Sequence, residues 1–203
     1  MYSSIKNHIS TFVNNFGSIP EHRKILLQKL SEYICIQINS KKAAHLLYVC
    51  THNSRRSHMG QIWGKVASEY YGIHHINTYS GGTETTAFHP NAISALREIG
   101  FDISRQNDIP NPHYEVRYSD TEPAIICYSK IYDVPENPKS DFCAIMTCSE
   151  ADANCPFIPG ASARISTTYE DPKLYDGTPV QAKAYLDRCA QIATETLYAF
   201  SLV

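Results

Sequence analysis

The sequence predicts an α/β fold: a doubly wound, four-stranded parallel sheet with helices on both faces, a cysteine-to-arginine loop after the first strand, and an N-terminal helical extension. Three observations carry this expectation. Short apolar runs alternate with longer segments of helical period, the pattern of strands joined by helical crossovers. The run Leu46, Leu47, Tyr48, Val49 ends in Cys50 and leads through residues 51–56 into a segment with Met59, Ile62, Trp63, Val66, Ala67 and Tyr70 at helical spacing. Two further stretches of helical period precede that strand.

Taken in order, residues 5–16 and 20–38 read as helices. The second has Pro20 in its first turn and Ile25, Leu26, Leu30, Tyr33, Ile34 and Ile38 along one side. An apolar stripe must be covered, and packing in cis is the expected solution. Residues 1–40 are therefore taken as an extension packed on a domain spanning 41–203. Strands are expected near 45–50, 75–79 and 142–147, and helices near 57–71, 89–100 and 179–200. The connection 108–140 carries Tyr114, Val116, Tyr118 and then Ala124, Ile125, Ile126, Cys127 and Tyr128. It reads as an inserted hairpin or lid at a pocket mouth.

Composition narrows the function classes. A chain of 203 residues, 43% of them hydrophobic, is enough for one α/β domain with a real core. A net charge of −2 gives no sign of a nucleic-acid or membrane surface. The first residues lack the apolar core of a signal peptide, and no apolar run approaches a membrane span, so a cytoplasmic protein is expected. Seven cysteines, an odd number, argue against a disulfide framework. Cys35, Cys127, Cys143 and Cys189 lie in apolar surroundings and read as small buried hydrophobes. Cys148 and Cys155 are too far apart for a short chelating pair, and His74, His75 and His113 have no partner pattern, so no metal site is expected.

The chemistry gathers at Cys50, Thr51, His52, Asn53, Ser54, Arg55, Arg56 and Ser57. A loop joining a strand to a helix N-terminus offers unsatisfied backbone N–H groups to an anion, and the same field favours a thiolate. Arg56 adds a planar fork that can grip two oxygens of a tetrahedral oxyanion. Ser57 can hydrogen-bond the Cys50 sulfur, and Asn53 can hold the loop in shape. Cys148 and Cys155, in the run from Met146 to Pro156, suggest that attack by Cys50 is resolved by sulfur exchange as well as by water. That combination points to oxyanion reduction.

These residues resemble the low-molecular-weight protein tyrosine phosphatase family and, within it, the thioredoxin-coupled arsenate reductases. The matching stretches are 49–57, Tyr79-Ser80-Gly81-Gly82, His89-Pro90-Asn91-Ala92 through Gly100-Phe101-Asp102-Ile103-Ser104, 147–156, and Asp171-Pro172. The loop and the Asp-Pro are common to phosphatases and reductases. The run Cys148-Ser149-Glu150-Ala151-Asp152-Ala153-Asn154-Cys155-Pro156 is similar to the reductases alone. The N-terminal helices have no counterpart in compact members, and the 108–140 connection is longer than theirs. His52 stands where the family has Gly, which a different backbone angle would have to accommodate.

The resemblance implies a mechanism. Cys50 forms an arseno-sulfur adduct, Cys148 attacks Cys50 to release arsenite, and Cys155 attacks Cys148 to leave a disulfide for thioredoxin, with no bound cofactor. Asp171 is implied as the general acid, with Glu170 the competing carboxylate. The substrate is an oxyanion, arsenate or a phosphate ester. Across an ideal helix the seven-residue step between Cys148 and Cys155 would be ~10.5 Å. A disulfide needs Cα atoms within about 4.4–6.8 Å, so the segment must unwind to close the bond. Pro156 sits where it would limit a continuing helix. The rival functions are phosphomonoester hydrolysis through phosphocysteine and a non-catalytic oxyanion or redox sensor. Oligomeric state is left open.

Overall fold

The computed structural model describes residues 1–155 and 157–203. The expectation placed on Pro156 lies outside the described residues. The helices are α1 (Ser3–Asn14), α2 (Glu21–Asn39), α3 (Arg56–Tyr71), α4 (Pro90–Ile99), α5 (Ser149–Asn154) and α6 (Gln181–Phe200). The strands are β1 (Ala44–Cys50), β2 (Ile76–Gly82), β3 (Asp102–Arg105), β4 (Tyr114–Arg117), β5 (Ile125–Cys127), β6 (Phe142–Met146) and β7 (Ala161–Ser166).

The main sheet is parallel in the order β2-β1-β6-β7. β1 lies at its centre, with Leu47 opposite Tyr79 on one side and Ala144 on the other. Because the connections leave β1 in opposite directions, the crevice beyond its C-terminal end is a topological switch point, and Cys50 stands there. The fourth strand, β7, reads Ala161-Ser162-Ala163-Arg164-Ile165-Ser166; as an edge strand it carries only one fully buried residue, Ile165. That is why it gave no apolar run to find.

Alternation along the strands splits the core. Leu46, Tyr48, Cys143 and Ile145 face the side covered by α3 and α6. Leu47, Val49, Phe142, Ala144 and Met146 face the other side, where α5 and Tyr132 cover them. Helices thus stand on both faces, unequally. α3 lies tight on the sheet: a Cβ at Gly60 would come within 2.4 Å of the Tyr48 ring, and one at Gly64 within 2.6 Å of its hydroxyl.

α1 and α2 pack against α6, with Ile5, Ile9 and Phe12 buried from α1. The buried side of α2 keeps Leu30, Tyr33 and Ile34 of the expected stripe and adds Leu27, Ser31 and Gln37, while Ile25 is 57% exposed. The reason is tertiary. At the first turn the inward position belongs to Arg23, which reaches Glu195 on α6.

The 108–140 connection does hold a hairpin, β4 and β5, to which β3 adds an antiparallel third strand. It meets the cysteine loop as a brace. The Ser129 hydroxyl donates to the His52 carbonyl (2.8 Å), and the Lys130 N–H donates to Asn53 Oδ1 (2.9 Å). Asn111 grips Ser129 in turn, accepting its N–H and donating to its carbonyl. Among the described residues, no helix is long and apolar enough to cross a membrane.

Candidate active site

β1 delivers Cys50 to the crevice, and residues 51–55 fold back into α3. Asn53 makes the turn with φ +44°, a left-handed conformation that its short amide tolerates better than most side chains. The amide is fully buried; Nδ2 donates to Ser57 Oγ (2.8 Å) while Oδ1 takes the Lys130 N–H. His52 is not among the positive-φ residues, so replacing Gly there raises no backbone conflict. Its ring turns to the rim, with Nε2 3.4 Å from Glu84 Oε2.

The loop carbonyls point outward and are satisfied. Cys50 O accepts from the Thr83 N–H (3.2 Å), Thr51 O from Glu84 N–H (2.8 Å) and Ser54 O from His89 N–H (2.9 Å). His52 O takes the Ser129 hydroxyl. Among the described residues, none of the backbone N–H groups from Thr51 to Arg56 finds an acceptor. Carbonyls out and amides free make a cradle for a compact anion. Cys50 Sγ lies beside it, 3.1 Å from Ser57 Oγ, a donor available to a thiolate.

The two arginines part company. Arg56 donates through Nη1 to the Tyr169 carbonyl (2.7 Å) and through Nη2 to Asp171 Oδ2 (2.6 Å), while its buried Nε finds no partner among the described residues. Arg55 turns away: Nε donates to the Tyr185 hydroxyl (2.8 Å), and Nη2 is 3.7 Å from Asp176. Its side chain therefore ties down the segment after Asp171, which leaves only its backbone N–H for an anion. Asp171 caps a short 3₁₀ turn, Pro172–Tyr175, accepting the Lys173 N–H at 3.0 Å. Glu170 is directed to Arg188 on α6 (3.0 Å) and is largely exposed, away from the loop.

Cys148 is fully buried at the N-cap of α5. Its sulfur lies 3.4 Å from Thr51 Oγ1 and shares an apolar cluster with Cys50. Cys155 is half-buried at the far end of the helix. The structure sets the Cys148 sulfur beside Thr51, in the apolar cluster that also holds Cys50, and places Cys155 at the other end of α5, ~10.5 Å along the helix by its rise. Arg164 pins this arrangement, donating to the carbonyls of Asp152 (2.7 Å) and Cys155 (3.2 Å).

The remaining cysteines separate by burial. Buried surroundings push the thiols of Cys127 and Cys189 up to about 12 and that of Cys143 higher still. Cys35, expected to be buried, is only half so, because it lies at the edge of the α2 contact. Sequence reasoning missed Ser129, Lys130 and Tyr169, which hold the loop and Arg56 in place. Their contacts join positions 77 to 113 residues apart, and nothing local announces them. Lys130 is buried with its ammonium 4.6 Å above the Tyr128 ring, and burial pulls its pKa down.

No protein-family model matches this chain. Individual proteins do. An arsenate reductase from Bacillus licheniformis is 31% identical over 165 residues, covering 80% of this chain and 96% of the relative. Arsenate reductase 2 from Staphylococcus epidermidis is 30% identical over 129 residues, 63% of this chain and 77% of the relative. In fold, a low-molecular-weight phosphotyrosine phosphatase from Vibrio cholerae superposes with a TM-score of 0.51 at 15% identity, covering 77% of this chain and 94% of that one. An arsenate reductase from Archaeoglobus fulgidus gives 0.50 at 16% identity, covering 77% and 98%.

Proposed function

The chain belongs to the arsenate reductases built on the low-molecular-weight tyrosine phosphatase fold, and from that premise we propose that it reduces arsenate to arsenite by a three-cysteine relay. The observation that carries this reading is the Cys148 sulfur, 3.4 Å from Thr51 in the loop that begins at Cys50. A second thiol at the cradle takes no part in the hydrolytic steps, where it would serve only to protect Cys50 from overoxidation, but is required for reduction.

In the first step the Cys50 thiolate attacks arsenic(V), and an arsenate oxygen leaves as water with a proton from Asp171. The free amides of residues 51–56 and the unpartnered Nε of Arg56 hold the remaining oxygens. The Cys148 thiolate next attacks Cys50 Sγ. The sulfur–arsenic bond breaks with its electron pair on arsenic, which departs as arsenic(III), and a Cys50–Cys148 disulfide remains. Cys155 then attacks Cys148, freeing Cys50 and forming the Cys148–Cys155 disulfide. Closing that bond requires α5 to unwind, which carries the oxidised pair outward to an external dithiol. Thioredoxin is the electron donor in this reading, no cofactor is bound, and a reducing cytoplasm fits seven unpaired cysteines.

Phosphatase activity is the second reading. Cys50, Arg56 and Asp171 suffice for it, and the Arg56–Asp171 contact keeps the carboxylate at the loop in either reading. Peptide mapping of disulfides after one arsenate turnover separates the two. Reduction predicts a Cys148–Cys155 bond in stoichiometric yield; free thiols throughout, with aryl phosphate hydrolysis intact, would leave hydrolysis as the activity.

A further inference from the structure

The first turn of α2 puts a charged residue on the buried side of the helix. The Arg23 side chain is 12% exposed and that of its ion-pair partner Glu195 on α6 only 4%. Arg23 Nε donates to Glu195 Oε1 (3.3 Å), and Gln191 Nε2 holds the same oxygen (3.0 Å). The guanidinium does not end there. Nη1 donates to the Thr168 carbonyl at 3.2 Å, and its central carbon stands 4.9 Å from the centre of the Tyr169 ring.

Thr168 and Tyr169 open the segment that also carries Asp171. The Tyr169 N–H is anchored on the Thr147 carbonyl (3.1 Å), its own carbonyl takes Arg56 Nη1, and Asp171 takes Arg56 Nη2. One short stretch is thus gripped on one side by Arg23 and presents on the other the two acceptors that hold Arg56.

We propose that Arg23 is a positioning residue for Arg56: the N-terminal helix α2 clamps Thr168 and Tyr169 so that the Arg56 fork is held ready for an oxyanion. This rests on the reading of Arg56 as an oxyanion-gripping residue. A planar fork discriminates only when its plane is fixed, and a shift of an ångström in such a group costs rate or affinity steeply. A buried ion pair is a poor source of stability but a directional one, which suits a clamp. The N-terminal helices are then part of the catalytic machinery and not merely a cover for α6.

The test uses the full chain and the rate at which iodoacetamide alkylates Cys50, followed by peptide mass, with inorganic phosphate or tungstate, oxyanions that the thiols do not reduce, as protecting anion. Wild-type protein is expected to be protected by either anion. Arg23→Lys keeps the charge opposite Glu195 but loses the planar stack on Tyr169 and the forked donor geometry. The double variant Arg23→Met/Glu195→Met removes the pair without stranding a buried charge. Both should need roughly tenfold more anion for half-protection, with alkylation in its absence and the urea midpoint of Arg23→Lys unchanged. Protection equal to wild type in both variants overturns the proposal. So does a loss of protection that only tracks the midpoint or the basal alkylation rate, since that is a structural role. Failure of the anions to protect wild-type Cys50 would instead overturn the oxyanion reading, and the role of Arg23 with it.

Discussion

Side chains at the cradle divide between chemistry and support. Asn53 and Ser57 spend their hydrogen bonds on the loop and on Cys50, so the surroundings of that sulfur are set by the fold itself. Cys50→Ser should therefore abolish both arsenate reduction and aryl phosphate hydrolysis in a protein with unaltered circular dichroism. A hydroxyl cannot supply the thiolate that begins both reactions. Retention of either activity would remove Cys50 as nucleophile. The carboxylates are separable by the same logic. Asp171 is bonded to Arg56 at the loop, whereas Glu170 is bonded to Arg188 on α6. Asp171→Asn should lower kcat for aryl phosphate hydrolysis by about 10²-fold, with Glu170→Gln close to wild type. Steady-state kinetics of the pair decide the assignment, and the reverse order of effects would give the acid role to Glu170.

Among the elements, α5 is the one that the proposed relay would have to open. It has only six residues, with Cys148 capping one end and Cys155 the other. A helix so short is not stable on its own. Its polar anchors are Arg164 and the short Ser166–Asp152 hydrogen bond from the edge strand β7, and Thr51 of the cysteine loop, whose hydroxyl donates to Glu150 (3.1 Å). An element held by so few polar contacts can open locally at a small fraction of the global unfolding free energy. Cys155→Ser should stall the relay after the second step. One arsenate turnover by that variant should leave a Cys50–Cys148 disulfide, detectable by peptide mapping, while hydrolysis of an aryl phosphate continues in unexposed protein. Finding the variant's thiols all free would exclude Cys148 as the attacking sulfur.

For the whole molecule, the core contributes a pH dependence of its own. Cys127 and Cys189 are buried in the larger core, and their thiols titrate near 12 in the fold against an ordinary value of 9.0. Between those values the unfolded chain has released protons that the folded chain still binds. The unfolded state therefore binds fewer protons, and stability falls as pH rises. Each thiol contributes a loss of about 1.4 kcal/mol per pH unit in that window. The urea midpoint should drop from pH 8 to pH 10, and Cys189→Ala, though less stable at pH 8, should show a shallower drop. An equal slope in the variant would show that other groups govern the alkaline limit.

The chain's own pattern was enough for the parallel sheet and for the loop between β1 and α3 that carries Cys50, Asn53, Arg56 and Ser57. These features are local: a strand is an apolar run, a helix a period, and the loop a spacing of cysteine, arginine and serine within eight residues. The separation of Cys148 and Cys155 by a helix was equally local. What the tertiary structure alone decided is which polar groups meet. The spacing from Cys50 singles out Arg56 but says nothing of where Arg55 turns, and it is Tyr185 and Asp176 that draw Arg55 away from the cradle. Nothing near Ile25 marks it as exposed, yet α6 selects the face of α2 that ends at Arg23. The brace at Ser129 and Lys130, like the edge strand β7, depends on partners far along the chain. A hydrogen bond across such separations leaves no period and no composition behind, because its energy is gained only once hydrophobic burial has folded the chain and brought the two ends together.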